Sequence, residues 1–266
     1  MTTTSLKLLA LILMLIDHIG EFIPQTPVWL RYIGRLSAPL FFYCSAWGFH
    51  YTHDRKRYLI RLYRFSILMG VGNIVLSYFM GRGRNMIYLT NNIFTTIFLG
   101  CLIIYIWESA GSWRKRKLYF FAFGLQQAVA FFLCGIMDLL GHTLSYEVHY
   151  TLGTIFGSCF FTEGSVLFVL YFVCVYFLKE QAFRLSLFTG IFSCAAAYLA
   201  AHSTGIGPQL YLFPFSDYQW LMGLVIPFYF LYNGKRGRNM KAFFYFFYPL
   251  HIWILYIAGY FCEKVL

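Results

Sequence analysis

Apolar stretches long enough to cross a bilayer recur along the whole chain, and they constrain its fold more than any other feature. A membrane-spanning helix needs about 20 mostly apolar residues. Nine stretches approach this length, at residues 6–23, 32–52, 59–81, 93–108, 118–140, 162–178, 183–201, 216–232 and 242–262. A further segment, 147–161, either extends the sixth stretch or forms a short re-entrant or interfacial piece. We therefore predict an all-α, polytopic helical bundle of about nine transmembrane helices, folded as one domain over residues 1–266.

Composition and charge define the class of protein. The chain is 60% hydrophobic and only 12% charged, whereas a soluble domain carries about 25% charged residues. The net charge of +11 would suit a nucleic-acid partner, but the basic residues fall in short clusters between the apolar stretches. Cytoplasmic loops of membrane proteins have this pattern. We therefore predict a multi-pass protein of the cell (inner, cytoplasmic) membrane, surrounded by the lipid bilayer, with no nucleic-acid partner.

The basic clusters also predict an orientation. Sixteen of the 21 Lys and Arg residues fall at Lys7 and within 55–64, 114–117, 179–184 and 235–241, and the predicted spans place all of these on one side. The positive-inside rule puts that side in the cytoplasm. The N-terminus is then cytoplasmic and the C-terminus outside.

The seven cysteines carry no sign of a metal site or a disulfide framework. Most lie within the apolar stretches, and neither a CxxC motif nor zinc-ligand spacing is present. We interpret them as small hydrophobic residues and predict no metal.

An ionisable pair, Asp17 and His18, lies inside the first apolar stretch. A carboxylate at bilayer depth costs about 2.5–3.5 kcal/mol on insertion scales, so such a residue usually faces a partner or a water-filled cavity. Successive helical residues point about 100° apart, so His18 can face a cavity while Asp17 meets a neighbouring helix. His18 is the candidate general base. The alternative is a buried histidine that hydrogen-bonds a neighbouring backbone.

Two arginines, Arg31 and Arg35, begin the second apolar stretch. Arg35 is too deep for a simple loop charge, and its depth matches Asp17 if the first two helices pack as a hairpin. A bidentate pair between Arg35 and Asp17 would satisfy both buried charges. We expect this pair to fix helix packing and tune His18, and Arg31 to line a substrate cavity. A purely structural ion pair is the alternative.

Three more arginines, Arg57, Arg61 and Arg64, are spaced i, i+4, i+7 and share one face of the third predicted helix. Guanidinium groups on one face suit phosphate groups by bidentate contact. They are therefore candidates for binding the phosphates of a cofactor. The alternative is that they anchor the helix to lipid head groups.

The last predicted helix contains the motif Tyr248-Pro249-Leu250-His251. Pro249 removes a backbone hydrogen bond and predicts a kink, and His251 then lies near mid-membrane. Because irregular backbone at this depth often lines a cavity, Tyr248 and His251 are candidate cavity or substrate residues. A packing histidine is the alternative.

Several of these segments resemble the TraX family. The resemblance rests on KLLALILMLIDHIG at 7–20, RYIGRLSAPLFF at 31–42, GFHYT at 48–52 with the basic residues of 55–64, and FYPLHIW near the end of the chain. It implies a membrane enzyme of the kind that acetylates the pilin N-terminus, distantly related to the acyltransferase-3 enzymes. Those enzymes carry a histidine in the first helix and an Arg-x-x-Arg in a later one, which His18 and Arg61–Arg64 match.

These observations together predict a membrane-embedded acyltransferase. Acetyl-CoA, or another acyl-CoA, would be the cytoplasmic donor, and the acceptor would be an amine or hydroxyl at the outer face, on the pilin N-terminus, a peptide or an envelope glycan. In this prediction the three arginines of 57–64 hold the donor's phosphates and His18 takes the acceptor's proton. Two alternatives remain open: a non-enzymatic membrane protein of fimbrial or pilus assembly, and a proton-coupled secondary transporter.

Overall fold

A computed structural model describes residues 1–80, 88–139, 145–202 and 218–265, and within these ranges the regular structure is helical. The helices in chain order are α1 (Thr3–Phe22), α2 (Trp29–Gly34), α3 (Ser37–His50), α4 (Arg55–Met80), α5 (Ile93–Ser109), α6 (Trp113–Leu139), α7 (Tyr146–Phe156), α8 (Ser165–Leu178), α9 (Ala182–His202), a 3-10 helix (Gln219–Val225), α10 (Ile226–Leu231) and α11 (Lys241–Val265). The ends of the predicted spans at 81 and 140, and the start at 216, lie outside the described residues.

Each predicted span overlaps a helix, but the helices differ in their ability to cross a membrane. Among the described residues, four are long and apolar enough: Arg55–Met80, Trp113–Gly135, Ala182–His202 and Lys241–Lys264. Ile93–Ser109, Ser165–Leu178 and Gln219–Leu231 are apolar but shorter. At 1.5 Å per residue, the 14 residues of α8 extend only about 21 Å, against a hydrocarbon core of about 30 Å. The described residues are thus those of an all-α membrane protein with four candidate spans, and the predicted count of about nine transmembrane helices is not confirmed.

The surface of α6 shows why a bilayer is needed. Leu118, Phe121, Leu125 and Phe132 all follow helical spacing and are exposed, Phe121 with 72% of its surface accessible. An apolar stripe of this kind is unfavourable in water and suits lipid chains.

The predicted span 32–52 is divided in two by Pro39. A proline ring clashes with the carbonyl of the residue four positions earlier, here Arg35, so one helix cannot run through both. The structure accordingly ends α2 at Gly34 and begins α3 at Ser37, where Pro39 lies in the first turn and its missing N–H costs no hydrogen bond. The break places Arg35 in a turn beside α1.

Segment 147–161 contains a separate short helix, α7, and is not an extension of the sixth span. Gly157 caps α7 in the left-handed conformation (φ 66°), which ends a helix readily because glycine has no Cβ. The Ser158 N–H then donates to the Gly153 carbonyl (2.7 Å). A loop over 157–164 follows before α8.

The basic connections predicted to share one side of the membrane do meet at one end of the bundle. Arg55 at the start of α4 forms an ion pair with Glu108 at the end of α5. The Tyr176 hydroxyl, at the end of α8, also donates to Glu108 (2.9 Å). The Thr3 and Thr4 N–H groups at the start of α1 donate to carbonyls of the loop that precedes α11. We call this the basic end of the bundle.

Candidate functional site

A group of buried and partly buried polar side chains, most of them ionisable, lies between α1, the α2–α3 turn, the 3-10 helix and α11, towards the end opposite the basic end. We call it the polar cluster, and it consists of Asp17, His18, Glu21, Arg31, Arg35, Gln219 and His251. Its members come from segments as far apart in sequence as 17 and 251, so only the tertiary fold brings them together.

Asp17 is held by two arginines. Arg35 Nη2 donates to both carboxylate oxygens, and Arg31 Nη1 lies 3.1 Å from Oδ1. Arg35 also donates from Nη1 to Gln219 Oε1 (3.1 Å). The pairing of Arg35 with Asp17 that the sequence predicts is confirmed. The close fit depends on Gly34, because a Cβ at this position would overlap the Asp17 side chain.

Glu21, one turn further along α1, is the second carboxylate of the polar cluster. Arg31 Nη1 donates to its Oε2 (2.7 Å), and the Asn91 side-chain amide donates to Oε1 (3.3 Å). Arg31 therefore bridges Asp17 and Glu21, and each carboxylate has a guanidinium partner.

His18 contacts a second histidine, and the hydrogen bonds fix which nitrogens carry protons. His251 Nδ1 lies 2.8 Å from the Phe247 carbonyl, which can only accept, so this nitrogen must donate. When His251 is neutral, its Nε2 is then an acceptor, and His18 Nδ1, 2.8 Å away, donates to it. A neutral His18 is left with its lone pair on Nε2, 3.9 Å from Glu21 Oε2. His251 thus orients His18 with its basic nitrogen away from α11.

A small cavity of about 160 Å³ borders the polar cluster. His18 and the two carboxylates of α1 line it, together with Arg31, Arg35, Glu163 and Tyr248. The Tyr248 hydroxyl donates to Glu163 Oε2 (3.1 Å) and accepts from the Ile93 N–H (2.9 Å). The Asn92 N–H also donates to Glu163 Oε2 (2.8 Å). Neutral hydrogen-bond donors therefore hold Glu163 in place in the cavity wall.

A larger cavity, of about 710 Å³, opens at the basic end. This volume lies within the range of about 300–1,000 Å³ typical of ligand sites. Six cationic side chains line it: Lys7, Arg57, Arg61, Arg236, Arg238 and Lys241. Asp54 is the one carboxylate among its described lining residues, and it is already paired with Arg57 (2.9 Å). We call this the basic cavity, and its charge suits an anionic ligand.

The two cavities share part of their walls. Phe41, Ile93 and Tyr248 line both. Tyr248 is held in place by its bonds to Glu163 and Ile93. A ligand in the basic cavity therefore lies on the other side of these three residues from His18.

The predicted site residues divide between the two cavities. Arg57 and Arg61 line the basic cavity, and Arg61 packs over the rings of Tyr58 (5.4 Å) and Tyr245 (5.2 Å). Arg64 is exposed and belongs to neither wall, so the structure separates it from the other two despite their shared spacing.

Tyr248 lines both cavities and Arg31 lines the small one, as the sequence predicts for cavity residues. His251 lines neither of these two cavities, so its role as a cavity or substrate residue stays a prediction. It lies behind His18, bonded to that ring and to the backbone of its own helix.

Sequence reasoning missed Glu163, Gln219 and Asn91 as members of the site. Glu163 lies two residues before the apolar helix α8, and an acidic residue near that boundary is the one signal that could have singled it out. Gln219 and Asn91 are neutral, so charge and hydropathy patterns do not distinguish them from loop residues.

The polar cluster also offers ligand atoms of the kinds that bind metals. Asp17, His18 and Glu21 present such atoms within 4.8 Å of one another. Both carboxylates are, however, already paired with the guanidinium groups of Arg31 and Arg35, which repel a cation. The arrangement is better suited to holding a fixed hydrogen-bond geometry than to holding a metal ion.

The fold and the site define a helical integral membrane protein in which one residue of a buried histidine pair, His18, lines a small cavity that shares part of its wall with a larger basic cavity. Within that class the chain belongs to the TraX family, since the family model described as "TraX protein" matches residues 2–258. The resemblance seen in the sequence is thereby confirmed. No curated protein and no solved structure matches the chain.

Proposed function

We propose that the chain is a membrane acyltransferase that moves an acetyl or other acyl group from an acyl-CoA donor to an amine or hydroxyl acceptor. The observation that carries the proposal is the position of His18. His18 lines the small cavity while its Nδ1 contacts His251, and that cavity shares Phe41, Ile93 and Tyr248 with the basic cavity.

The donor occupies the basic cavity in this proposal. Coenzyme A carries several phosphate groups at one end and a thioester at the other. Arg57 and Arg61 suit the phosphates, since guanidinium groups form bidentate contacts with them. The pantetheine arm then extends towards Tyr248, where the two cavities meet, and brings the thioester towards His18.

The acyl transfer uses His18 as general base. As the acceptor's nitrogen or oxygen attacks the thioester carbonyl carbon, His18 Nε2 takes the proton of the attacking group. The carbon–sulfur bond then breaks, and the protonated His18 returns that proton to the leaving thiolate. The products are the acylated acceptor and free CoA, and His18 regains its starting form. His251 holds the His18 ring so that Nε2 carries the free lone pair when the attack begins.

The acceptor approaches from the end opposite the basic cavity, past Arg31 and Arg35. Family membership favours a pilin N-terminus, and a peptide or envelope glycan has the same reactive groups. We place the basic end in the cytoplasm, where acyl-CoA is made, because basic loops stay on that side.

The proposal is tested with the full chain in inside-out membrane vesicles supplied with radiolabelled acetyl-CoA, with the products identified by mass spectrometry. We expect His18→Gln to lower label transfer about 10²–10⁴-fold, since an amide cannot accept the proton. His202→Gln is the matched control, because His202 is exposed at the end of α9. Normal transfer by His18→Gln would exclude the base role. Failure of the wild-type protein to bind acetyl-CoA would favour the assembly or transporter alternatives.

The orientation has its own test. A phosphatase fused after Leu266 is expected to be active and a green fluorescent protein fused there to be dark, because the proposed C-terminus is outside. A loop reporter between α3 and α4 should behave in the opposite way. The reverse pattern at both sites would move the basic cavity away from cytoplasmic acyl-CoA.

A further inference from the structure

The basic cavity has a second group of lining cations besides the arginines of α4, and this group has no assigned role. It consists of Lys7 on α1, Arg236 and Arg238 in the loop 232–240, and Lys241 at the start of α11. We call it the loop wall. In the sequence its members look like ordinary cytoplasmic flanks of separate helices, and only the fold brings them to one surface.

The loop wall lacks acidic partners within the described part of the chain. The ion pairs there join Asp54 to Arg57, Glu108 to Arg55, and Glu180 to both Lys179 and His50, and none of them includes a member of the loop wall. Lys7 lies over the ring of Phe244 (5.7 Å), so even this inner cation meets an aromatic face and not a carboxylate. Cations that converge on a cavity without counter-charges attract an anion.

The start of α1 holds the loop in position. The N–H groups of Thr3 and Thr4 donate to the carbonyls of Lys235 (2.9 Å) and Arg236 (3.2 Å). The Thr4 hydroxyl lies 2.9 Å from the Arg236 carbonyl and 2.7 Å from that of Arg238. Because these bonds use the backbone of the loop, the guanidinium groups of Arg236 and Arg238 stay available to a ligand in a loop that is already ordered.

The arginines of α4 that line the cavity are held differently. Arg57 is paired with Asp54, and Arg61 packs between the rings of Tyr58 and Tyr245, with its Nε buried and without a hydrogen-bond partner among the described residues. Two groups of cations that come from different elements around one cavity suit a ligand with two separate phosphate groups. Coenzyme A has this property, since its 3′-phosphate and its pyrophosphate lie on different parts of the nucleotide.

We propose that the loop wall is a phosphate-binding subsite for the donor nucleotide, which holds one phosphate group of coenzyme A while Arg57 and Arg61 hold the other. The inference rests on the proposed function and extends it. It assigns the loop 232–240 and Lys7 to substrate binding, and the N-terminal residues Thr3 and Thr4 to positioning that loop.

Equilibrium binding of radiolabelled CoA to the full chain in phosphatidylcholine nanodiscs tests the subsite. We expect the double variant Arg236→Gln/Arg238→Gln to raise the Kd for CoA about tenfold or more. The matched control is Arg114→Gln/Lys115→Gln, which removes the same charge from two exposed residues of another basic connection outside the cavity. Elution as a single species on size-exclusion chromatography identifies the variants that fold.

A comparison of CoA with dephospho-CoA assigns the phosphate groups. The loop-wall double variant is compared with the matching Arg57→Gln/Arg61→Gln. If each wall holds one phosphate group, dephospho-CoA binds the wild type more weakly than CoA does. One of the two variants, the one that lacks the wall for the 3′-phosphate, then binds CoA and dephospho-CoA with nearly equal affinity. Equal additional loss in both variants would contradict separate phosphate sites.

The outcomes separate the two proposals. No CoA binding by the wild type would remove the proposed donor and the subsite together. Wild-type binding with an unchanged loop-wall variant would overturn the subsite alone, as would an equal loss in the Arg114/Lys115 control, which would indicate general charge attraction. Loss of phosphatidylglycerol binding by the loop-wall variant, with its CoA affinity intact, would assign the wall to lipid head groups and also overturn the subsite.

Discussion

The polar cluster and the basic cavity use charge in opposite ways. In the polar cluster, both carboxylates of α1 are paired with guanidinium groups and the histidines bond each other. The basic cavity, by contrast, is lined by six cationic side chains and one carboxylate among the described residues. Buried charges are stable only when partners satisfy them, whereas cations at an open mouth can remain in water until a ligand arrives. The polar cluster therefore suits a fixed arrangement of side chains, and the basic cavity suits the binding of an anionic ligand.

The largest expected difference between the two regions is in the stability of their ion pairs. Asp17→Asn leaves Arg35 without its buried partner, which costs about 3–5 kcal/mol of unfolding free energy. Asp54→Asn, in the basic cavity, breaks a pair whose side chains are 48% and 86% exposed, so about 0–1 kcal/mol is expected. Thermal unfolding of the two variants in detergent compares them. Equal losses would mean that the polar cluster is not tightly closed.

Two glycines provide a second contrast, in packing. A Cβ at Gly34 would overlap Asp17, while a Cβ at Gly48 would meet nothing within 4 Å. We expect Gly34→Ala to destabilise the protein by about 1–3 kcal/mol, as overpacking does. Gly48→Ala, in α3, should be neutral or slightly stabilising because alanine favours the helix. A neutral Gly34→Ala in the same unfolding assay would show that α1 and α2 are less closely packed.

Two arginines of α4 test which part of that helix binds the ligand of the basic cavity. Arg61 lines the cavity and Arg64, three residues later, is exposed outside it. Arg61→Lys should weaken CoA binding about three- to tenfold, because an ammonium group cannot replace the bidentate guanidinium contact. Arg64→Lys should bind CoA like the wild type. The opposite ranking in an equilibrium binding assay would restore Arg64 as the phosphate ligand and place the donor elsewhere.

The sequence predicts these two regions to different extents, for physical reasons. Asp17 and Arg35 can be paired from sequence because two charges at the same depth in an apolar environment need each other. The contact between His18 and His251 is not predictable in the same way, because a neutral imidazole has many acceptable partners and 233 residues separate the two rings.

The basic cavity shows a different limit of sequence reasoning. Lys7 and Arg236 follow the same positive-inside pattern as Lys115, and that pattern is satisfied by any cytoplasmic loop. Which of these cations meet at one cavity depends on how the helices pack. The prediction of helices has a similar limit. Hydropathy finds one apolar stretch at 32–52, but the turn that Pro39 imposes divides it into two helices.

The smallest predicted effect concerns ionic strength, and it tests the comparison without a mutation. At 0.1 M salt the screening length is about 10 Å, and exposed charges are screened far more than buried ones. CoA binding at the basic cavity should therefore weaken several-fold between 0.05 and 0.5 M salt. The thermal midpoint should show little salt dependence from Asp17, Glu21 and their arginines, because these pairs lie within the protein. The midpoint loss caused by Asp17→Asn, measured at both salt concentrations, isolates that contribution. A loss that shrinks in high salt would mean that water reaches the polar cluster, and His18 would then lie in an open site rather than a closed one.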